Sequence, residues 1–439
     1  MDSKAKAAGK WRLAARFGHV SILLSGYFAQ LGAAKLVRLV TPRRLRRDRD
    51  STLPALLTDL GPFYIKGGQL LSTRHDLISP TLCTALGRLT DRVPPPPRNE
   101  IEQVLRRSYG EPAQWPFQSV DWEPLACGSI ATVHRAELRD GRTVALKVRR
   151  PGIARTMDMD LRLAAAGARM AQKLPSQRDA PAEAMVLQVG SAIMHQLDFA
   201  AERKSLHALR ENLRNLPIVR LPEPYDELST DETIVMEFMA DLRQFLPEEL
   251  PLESRKSIVR NVLNAVFRML FLDGLVHCDL HPGNLYLTEE SDIIMLDAGF
   301  VVQLSDTVRR QFAQFFMNMA QGNGLKCAQI VYESAARVPA KFDREAFNKS
   351  VDQLVEETSG ALSGEFSLLE FAPRLMKLQQ DYGLFAAAEF AFPLLSLLVL
   401  EGMIKAFDAE LDFQAEAMPV LYQALTTPIP DPASATTAA

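Results

Sequence analysis

The chain has 439 residues, 47% of them apolar and 23% charged, which is the balance of a soluble globular protein. Its formal net charge of −3 argues against nucleic acid as a partner. The four cysteines are far apart, with neither zinc-site nor disulfide-framework spacing, which predicts a reducing, cytoplasmic compartment. No signal peptide or clear membrane span is predicted, and Phe390–Leu400 is expected to be a buried helix.

The first 47 residues are strongly basic, with eleven Lys or Arg against a single acid. Their apolar residues recur near helical spacing, which predicts a helix. Two interpretations stay open. The helix either lies on an anionic membrane surface, peripherally on the inner face of a membrane, or packs against its own domain with a solvated basic end.

The segment that follows is predicted to be helical as far as a run of four prolines. Lys66 and Gln69 fall three residues apart on one face of this helix. Gly67 and Gly68 lie between them and weaken a helix by about 1 kcal/mol each relative to alanine. They therefore fit best where another backbone or a ligand approaches closely, and the alternative is a flexible helix with a few polar residues.

From Trp122 the apolar period changes to two, which predicts a three-stranded antiparallel sheet with a turn at Asp140-Gly141. The last strand contains VALK, the form of the lysine-bearing strand of kinases, so Lys147 is the candidate phosphate-contacting lysine. The tight loop between the first two strands has one glycine where a protein kinase has three, so it should be stiffer, and a plain β-turn is the alternative. The candidates for nucleotide contact in this loop are Ala126, Cys127, Gly128 and Ser129.

A long helix is predicted over Val186–Arg214. Glu202 on this helix is the candidate carboxylate that pairs with Lys147 and directs it toward the phosphates, although a single acid on a helix is more often simply solvated. Two more strands follow. Glu237 to Met239 then occupy the place where a kinase hinge holds adenine through backbone groups.

The chain is organised around the stretch Leu275–Gly299. Asn284 follows Asp279 by five residues and Asp297 follows Asn284 by thirteen, with short apolar strands beside them. This spacing is typical of the catalytic and metal-holding part of a kinase-type phosphoryl-transfer site. We expect Asp279 to orient or deprotonate the attacking hydroxyl. Asn284 and Asp297 are expected to hold Mg²⁺ against the phosphates of ATP.

A helix begins almost directly after this stretch, which leaves little room for the activation segment and peptide-docking platform of a protein kinase. Residues 323–425 are predicted to be all-helical. The tail that follows is predicted to be disordered from its composition.

Together these motifs resemble the ABC1/ADCK/UbiB family of atypical kinases, over about residues 50–415. The resemblance rests on runs at fixed places in the chain: KGGQ at 66–69, the SxRxDL-like run at 72–77, VPP at 93–95, the Ala-rich loop followed by VHRA, Lys147, the LDF run ending at Glu202, HCDLHPGN, LDAG and LEGMIKAFD.

The resemblance implies an α+β, protein-kinase-like two-lobe fold with an N-terminal helical extension and a helical C-terminal region. It implies ATP and a divalent metal as ligands. In this family the extension folds over the site, so the resemblance adds Lys66 and Gln69 to the residues that line it. The best-known members support ubiquinone and related prenyl-lipid biosynthesis at membranes. The expected parts are a basic N-terminus at 1–50, the extension at 51–115, the N-lobe at 116–240, the C-lobe at 241–425 and the tail at 426–439.

Three positions depart from the family pattern. Gln196 stands where the ExD motif would begin, so an acid that could partner Lys66 or a metal is missing. Gly128 replaces an alanine and loosens the loop. Ala298 stands in the DFG position of phenylalanine, which keeps the metal-holding aspartate but loses a packing side chain. The paired C-terminal transmembrane helices of the bacterial ubiquinone-pathway members are not expected here.

The leading hypothesis is an ATP-hydrolysing atypical kinase whose acceptor, whether water, a lipid or a small molecule, is unknown. A second hypothesis, motivated by Gln196, Ala298 and the KxGQ segment that occludes the site, is a nucleotide-binding scaffold that switches conformation without turnover. A third is a small-molecule kinase that phosphorylates a metabolite or a lipid alcohol.

Overall fold

The structure is a computed structural model of the whole chain. It describes residues 11–27, 29–30, 52–72, 80–87, 89, 93–173, 182–244, 250–280, 283–288, 291–358, 366–408 and 410–427. Most of the basic N-terminus, the run at 73–77 and the tail lie outside these residues. The described residues form two units, of which the first takes the chain to Ala200 together with Tyr225–Val235, and the second takes Ala201–Pro224 and the chain from Met236 onward.

The first unit contains seven helices and most of one sheet among its described residues. Its helices are α1 (11–27), α2 (Thr52–Leu60), α3 (Pro62–Ser72), α4 (Pro80–Leu86), α5 (Arg98–Tyr109), α6 (Ile153–Ala171) and α7 (Ala182–His195). Its strands are β1 (Phe117–Val120), β2 (Ala126–Cys127), β3 (Ala131–Leu138), β4 (Thr143–Arg149) and the first part of β6 (Thr233–Glu237).

The sheet runs in the order β1-β3-β4-β6, with β2 paired to β3. It is larger than the predicted three strands because the short β1 and the distant β6 add to its edges. The predicted turn between β3 and β4 is confirmed, since Gly141 adopts a φ of +87°, a conformation that glycine accepts without strain. Helix α5 covers one face and packs Ile101, Val104 and Leu105 against the apolar side chains of the sheet.

Helix α1 packs against the first unit through one face. Val20 is buried against Leu56 and Leu60 of α2. The guanidinium of Arg16 makes two hydrogen bonds of 2.7 Å to the carboxylate of Asp160, which is fully buried on α6. This face therefore agrees with the second of the two interpretations, in which the helix packs against its own domain. The opposite face leaves large apolar side chains such as Trp11 exposed.

The two glycines of α3 differ in their surroundings. A Cβ on Gly68 would lie 2.3 Å from Leu89 Cδ1 and 2.9 Å from Leu57 Cδ1, whereas a Cβ on Gly67 would have only Ile193 Cδ1 at 3.7 Å. The expected close approach thus occurs at Gly68, and leucine side chains make it.

We expect Gly68→Ala to lower the free energy of unfolding by about 1–3 kcal/mol, because the two leucines must move within a packed cluster. Gly67→Ala is the matched control and should be neutral or stabilise by up to about 1 kcal/mol, since alanine is the better helix former. Urea unfolding of the two variants measures both effects. Equal stabilities would contradict the packing described for Gly68.

The second unit is mostly helical and holds the largest core. Its helices are α8 (Phe199–Leu213, beginning in the first unit), α9 (Leu252–Phe267), a π-helical turn (Arg268–Asp273), α10 (Asp306–Ala320), α11 (Gly324–Glu333), α12 (Arg344–Thr358), α13 (Leu368–Asp381), α14 (Ala388–Phe407) and α15 (Phe413–Thr426). Its strands are β5 (Val219–Arg220), β7 (Arg243–Gln244), β8 (Leu275–His277), β9 (Leu285–Leu287), β10 (Ile293–Met295), β11 (Val301–Gln303), β12 (Ala335–Arg337) and β13 (Phe385–Ala386).

Two small sheets carry the central stretch of the sequence. One has the order β5-β10-β9-β7, and the other pairs β11 with β8. The three short apolar strands predicted around the central stretch are confirmed. The all-helical prediction for residues 323–425 is wrong in one detail, since β12 and β13 form an antiparallel pair there.

The predicted long helix over Val186–Arg214 is wrong. The chain leaves the helix between α7 and α8, where the N–H groups of residues 196–198 donate to carbonyls three residues earlier. Leu197 and Phe199 are buried on either side of Asp198 at this break. Burial of these two side chains outweighs the helical periodicity of the sequence.

Among the described residues, one helix is long and apolar enough to cross a membrane by length and composition alone. It is Glu389–Phe407, within α14, and most of it is buried inside the protein. Leu397, Leu400 and Ile404 of this helix are almost fully buried in the second unit. The prediction of a buried helix at this place is confirmed.

Candidate functional site

Lys147 lies in the middle of β4 and is only 8% exposed. The strand register pairs it with Val133, which is paired on its other side with Ala126. Paired residues point to the same face of a sheet, so Ala126 and Lys147 lie in one row. The ammonium of Lys147 lies 5.6 Å from the centre of the Phe199 ring, which is a cation–π contact. The sequence did not predict this contact, although Phe199 belongs to the LDF run.

The loop between β2 and β3 is tight, as predicted. Cys127 pairs with Thr132, and the N–H of Gly128 donates to the carbonyl of Ala131 at 2.9 Å. Ser129 is fully buried, and its hydroxyl has no hydrogen-bond partner in the protein. A buried hydroxyl without a partner costs about 1–3 kcal/mol, which a bound phosphate oxygen would offset. The loop therefore has a donor suited to an anion.

The two polar residues of the extension lie on α3 in the first unit. Lys66 is half-buried, and the side-chain amide of Gln69 donates to the carbonyl of Leu89 at 3.4 Å. Gln196, the departure from the ExD pattern, is 8% exposed and lies in the break after α7. A roomy surface site would leave this amide exposed, so its burial indicates a packed environment.

A buried histidine ties together two parts of the central stretch. The N–H of Asp279 donates to Nδ1 of His277 at 3.2 Å, and the other ring nitrogen is bonded to the carbonyl of Asp297. An N–H group can only donate and a carbonyl can only accept, so His277 carries its proton on Nε2. Sequence reasoning did not single out His277, although it lies two residues before Asp279.

The asparagine of the central stretch is fixed by the same loop. The side-chain nitrogen of Asn284 donates to the carbonyl of Asp279, and the carbonyl of Asn284 accepts from the N–H of Leu296 at 3.0 Å. Asn284 is 5% exposed. With the nitrogen used in this way, the amide presents its oxygen as the group suited to a metal.

Asp297 and Glu202 meet at the glycine of the LDAG run. Oδ1 of Asp297 accepts the N–H of Gly299 at 2.7 Å. A Cβ on Gly299 would lie 3.0 Å from that oxygen and 3.6 Å from Oε2 of Glu202. A side chain here would press on the Asp297 carboxylate and would touch Glu202, so glycine favours the approach of Asp297 to the backbone. The second unit therefore brings together four of the predicted residues: Glu202, Asp279, Asn284 and Asp297.

The strand before Asp279 is supported from α14. The hydroxyl of Ser396, itself 5% exposed, donates to the carbonyl of His277 at 3.0 Å. The next residue, Cys278, donates its N–H to the carbonyl of Phe300 at 2.9 Å. Burial raises the pKa of the Cys278 thiol, and the nearby carboxylate of Asp279 raises it further. This cysteine is therefore a poor nucleophile despite its position.

The predicted hinge residues begin with Glu237, the last residue of β6. The N–H of Glu237 donates to the carbonyl of Glu223 at 2.8 Å, and the carboxylate of Glu237 accepts from Arg220 at 3.2 Å. The N–H is therefore already used, which narrows the adenine contact predicted for Glu237 to its carbonyl oxygen. Met239 is half-buried two residues later.

A π-helical turn leads into the strand that carries His277. Such turns are rare and are frequently found at functional sites. One guanidinium nitrogen of Arg309 donates to the carbonyls of Phe271 and Leu272, at 3.1 Å each, and so satisfies groups at the end of the turn. Burial raises the pKa of Asp273 at this end to about 6, although Arg268 and Arg309 act to lower it.

This carboxyl group predicts a pH-dependent stability. The folded-state pKa of Asp273 is above its ordinary value of 3.8, so folding favours the neutral form. The favourable contribution is complete below pH 3.8 and is lost as the pH rises through about 6. We expect Asp273→Asn to stabilise the protein by about 1 kcal/mol above pH 7, after allowance for partial exposure, and progressively less toward pH 4.5.

Thermal melting of this variant between pH 4.5 and 8 checks that expectation. Asp231→Asn, at an exposed aspartate of the first unit, is the control and should show no such trend. A stabilisation by Asp273→Asn that does not change with pH would contradict the assignment of the effect to Asp273 ionisation.

Comparison with known proteins identifies the family. The sequence profile of the ABC1 atypical kinase-like domain matches residues 88–331, more than half of the chain. The chain belongs to this family. The matched range contains every predicted site residue except Lys66 and Gln69, which lie before it.

Two other proteins are similar in sequence to this chain. The uncharacterized protein slr0889 of Synechocystis is 33% identical over 298 residues, which cover 65% of this chain and 73% of the relative. A "probable protein kinase UbiB" of Pseudomonas aeruginosa is 28% identical over 410 residues, covering 91% of this chain and 76% of the relative.

A solved structure shows the same fold. It is titled as the complex of Rv3197 with erythromycin from Mycobacterium tuberculosis, and it is 19% identical with a TM-score of 0.54. It covers 90% of this chain and 98% of its own. With the strands and helices described above, this confirms the predicted α+β, kinase-like fold.

Proposed function

We propose that this member of the ABC1 family binds Mg·ATP and transfers or hydrolyses its γ-phosphoryl group. The observation that carries the proposal is the linked loop of the second unit. His277 bonds to the backbones of both Asp279 and Asp297, and Asn284 bonds to Asp279. Residues predicted from spacing alone are thus held in one hydrogen-bonded constellation.

The donor set fits magnesium. Asp297 offers a carboxylate and Asn284 an amide oxygen, which are hard ligands of the kind Mg²⁺ prefers. Within the described ranges there is no cluster of three or more His, Cys, Asp or Glu side chains able to hold a metal. The pair Asp297 and Asn284 suits Mg²⁺, because this ion takes one or two protein ligands and completes its shell with phosphates and water. When bound, the ion would neutralise charge on the phosphates.

The chain's own residues have distinct tasks in this proposal. Lys147 contacts the α- and β-phosphates, and Glu202 pairs with it. The Ser129 hydroxyl and amide bind a phosphate oxygen, and the Glu237 carbonyl with the Met239 backbone holds the adenine. Asp279 orients the attacking group, whether water or an acceptor hydroxyl. Its N–H bond to His277 fixes the backbone from which the carboxylate projects.

A second candidate function is a nucleotide-binding scaffold without turnover. Gln196 is buried where the family pattern has an acid, so no charged group is available at that position for Lys66 or a metal.

The proposal also includes a pathway and a location. The UbiB name of the Pseudomonas relative supports a role in ubiquinone or other prenyl-lipid metabolism. The basic N-terminus with the exposed Trp11 of α1 supports contact with an anionic membrane. The lipid-related role and the membrane contact are thus both parts of the proposed function.

The test is calorimetric titration of the purified protein with Mg·ATP, followed by phosphate release with and without anionic vesicles. Binding with turnover supports the enzyme, and stimulation by vesicles places it at a membrane. Binding without turnover under any lipid condition would favour the scaffold. Failure to bind Mg·ATP would overturn both. In a further experiment the protein is incubated with cell extract and radiolabelled ATP. A labelled small molecule or lipid, rather than labelled free phosphate, would identify a small-molecule or lipid kinase.

A further inference from the structure

One arginine joins two separate segments of the first unit. Nε of Arg150 donates to the carbonyl of Gly128 at 2.7 Å. One terminal nitrogen of the same guanidinium donates to the carbonyls of Val93 and Pro94, at 3.1 and 2.9 Å. That nitrogen also lies 3.0 Å from the sulfur of Cys127. The side chain thus ties the β2–β3 loop to the proline run that follows the helical extension.

The backbone of the same residue adds to this link. The N–H of Arg150 donates to the carbonyl of Ile130 at 2.8 Å, so both main chain and side chain hold the loop. Arg150 also follows Lys147 by three residues and lies directly after β4. The loop, the lysine and the proline run are therefore positioned relative to one another by this short stretch.

The bond to Gly128 has a geometric consequence. In a planar trans peptide the carbonyl of one residue and the N–H of the next point in opposite directions. Because Arg150 holds the Gly128 carbonyl, it also fixes the direction of the Ser129 N–H on the other side of that peptide. The Ser129 N–H is the amide assigned above to a phosphate, and it lies beside the buried Ser129 hydroxyl.

We propose that Arg150 is a positioning residue for nucleotide binding, which clamps the β2–β3 loop so that the Ser129 amide faces the phosphate. The proposal rests on the proposed function for the identity of the ligand. A planar guanidinium bonds along two edges, whereas a lysine ammonium is a single point of charge. Arg150→Lys therefore keeps the charge but cannot hold the carbonyls on both sides.

The experiment compares Arg150→Lys with Arg139→Lys. Arg139 is a matched control, since its Nε donates to the Trp115 carbonyl at 2.8 Å and a terminal nitrogen to the Ala113 carbonyl at 2.6 Å, away from the loop. The first measurement is hydrogen–deuterium exchange of the peptide that contains the loop, without nucleotide. We expect about tenfold faster exchange of the loop amides in Arg150→Lys and no change in Arg139→Lys.

The second measurement is the kinetics with Mg·ATP. We expect KM to rise about tenfold in Arg150→Lys with kcat nearly unchanged, because a binding donor is misdirected while the catalytic groups stay in place. Arg139→Lys should leave both constants unchanged at a similar melting temperature. Should Arg150→Lys fold poorly, Arg150→Gln, which keeps one donor group, replaces it.

The outcomes separate this proposal from the proposed function. Loop exchange and KM of Arg150→Lys equal to those of Arg139→Lys would overturn the clamp. Absence of Mg·ATP binding by the wild-type protein would overturn the function instead. The exchange measurement uses no nucleotide and would still decide whether Arg150 holds the loop.

Discussion

Asp297→Asn is expected to reduce Mg-dependent ATP turnover by about a thousandfold or more, since it removes the carboxylate proposed to hold the metal. The substitution should leave the fold intact. Asparagine keeps the oxygen that accepts the Gly299 N–H at 2.7 Å, so the local turn can persist. The variant therefore separates charge from shape at one position.

The measurement is phosphate release at saturating Mg·ATP, beside thermal melting of the same samples. Asp292→Asn is the matched control, at a half-buried aspartate whose N–H donates to the Thr288 hydroxyl at 3.1 Å before β10. It should retain wild-type turnover. A variant at Asp297 with more than about a tenth of wild-type turnover would show that this carboxylate does not hold the metal.

Glu401→Ala is expected to cost about 3 kcal/mol of folding free energy. Glu401 on α14 is 1% exposed and accepts the N–H groups of Leu368 at 3.2 Å and Leu369 at 2.7 Å, at the start of α13. It also accepts from the Ser367 hydroxyl at 3.2 Å. A side chain from another helix thus caps α13, and its loss removes the acceptor of three donors, of which the Leu368 N–H is buried.

Chemical unfolding of the full chain checks this expectation. Glu370→Ala is the control, because it removes an exposed acid from the first turn of the same helix and should cost no more than about 1 kcal/mol. Equal losses for the two variants would show that the effect is the general attraction of a carboxylate to a helix start. It would then not come from the buried hydrogen bonds of Glu401.

The central stretch could be predicted from sequence because its signals are local. The apolar strands beside Asp279, Asn284 and Asp297 are each three residues long and lie where the hydrophobic runs placed them. The family and the α+β fold followed from the same motifs. The roles of the individual site residues stay predictions, since they depend on a bound nucleotide.

The features that sequence missed depend on distant contacts. The break at Asp198 arises because Leu197 and Phe199 turn inward, which helical periodicity does not record. Glu401 looks like a charge on an apolar helix until α13 is placed beside it. The bond from His277 to Asp297 spans twenty residues and depends on how two strands pair.

The path of the chain between the two units has a consequence for synthesis on the ribosome. The chain leaves the first unit after Ala200, returns for Tyr225–Val235 and leaves again. The strand β6 that completes the sheet beside β4 is thus supplied by this late return. A nascent chain cannot finish its first unit until Val235 has emerged from the exit tunnel. By then the first segment of the second unit, Ala201–Pro224, has already been synthesised, so the first unit completes its sheet with part of the second unit already made.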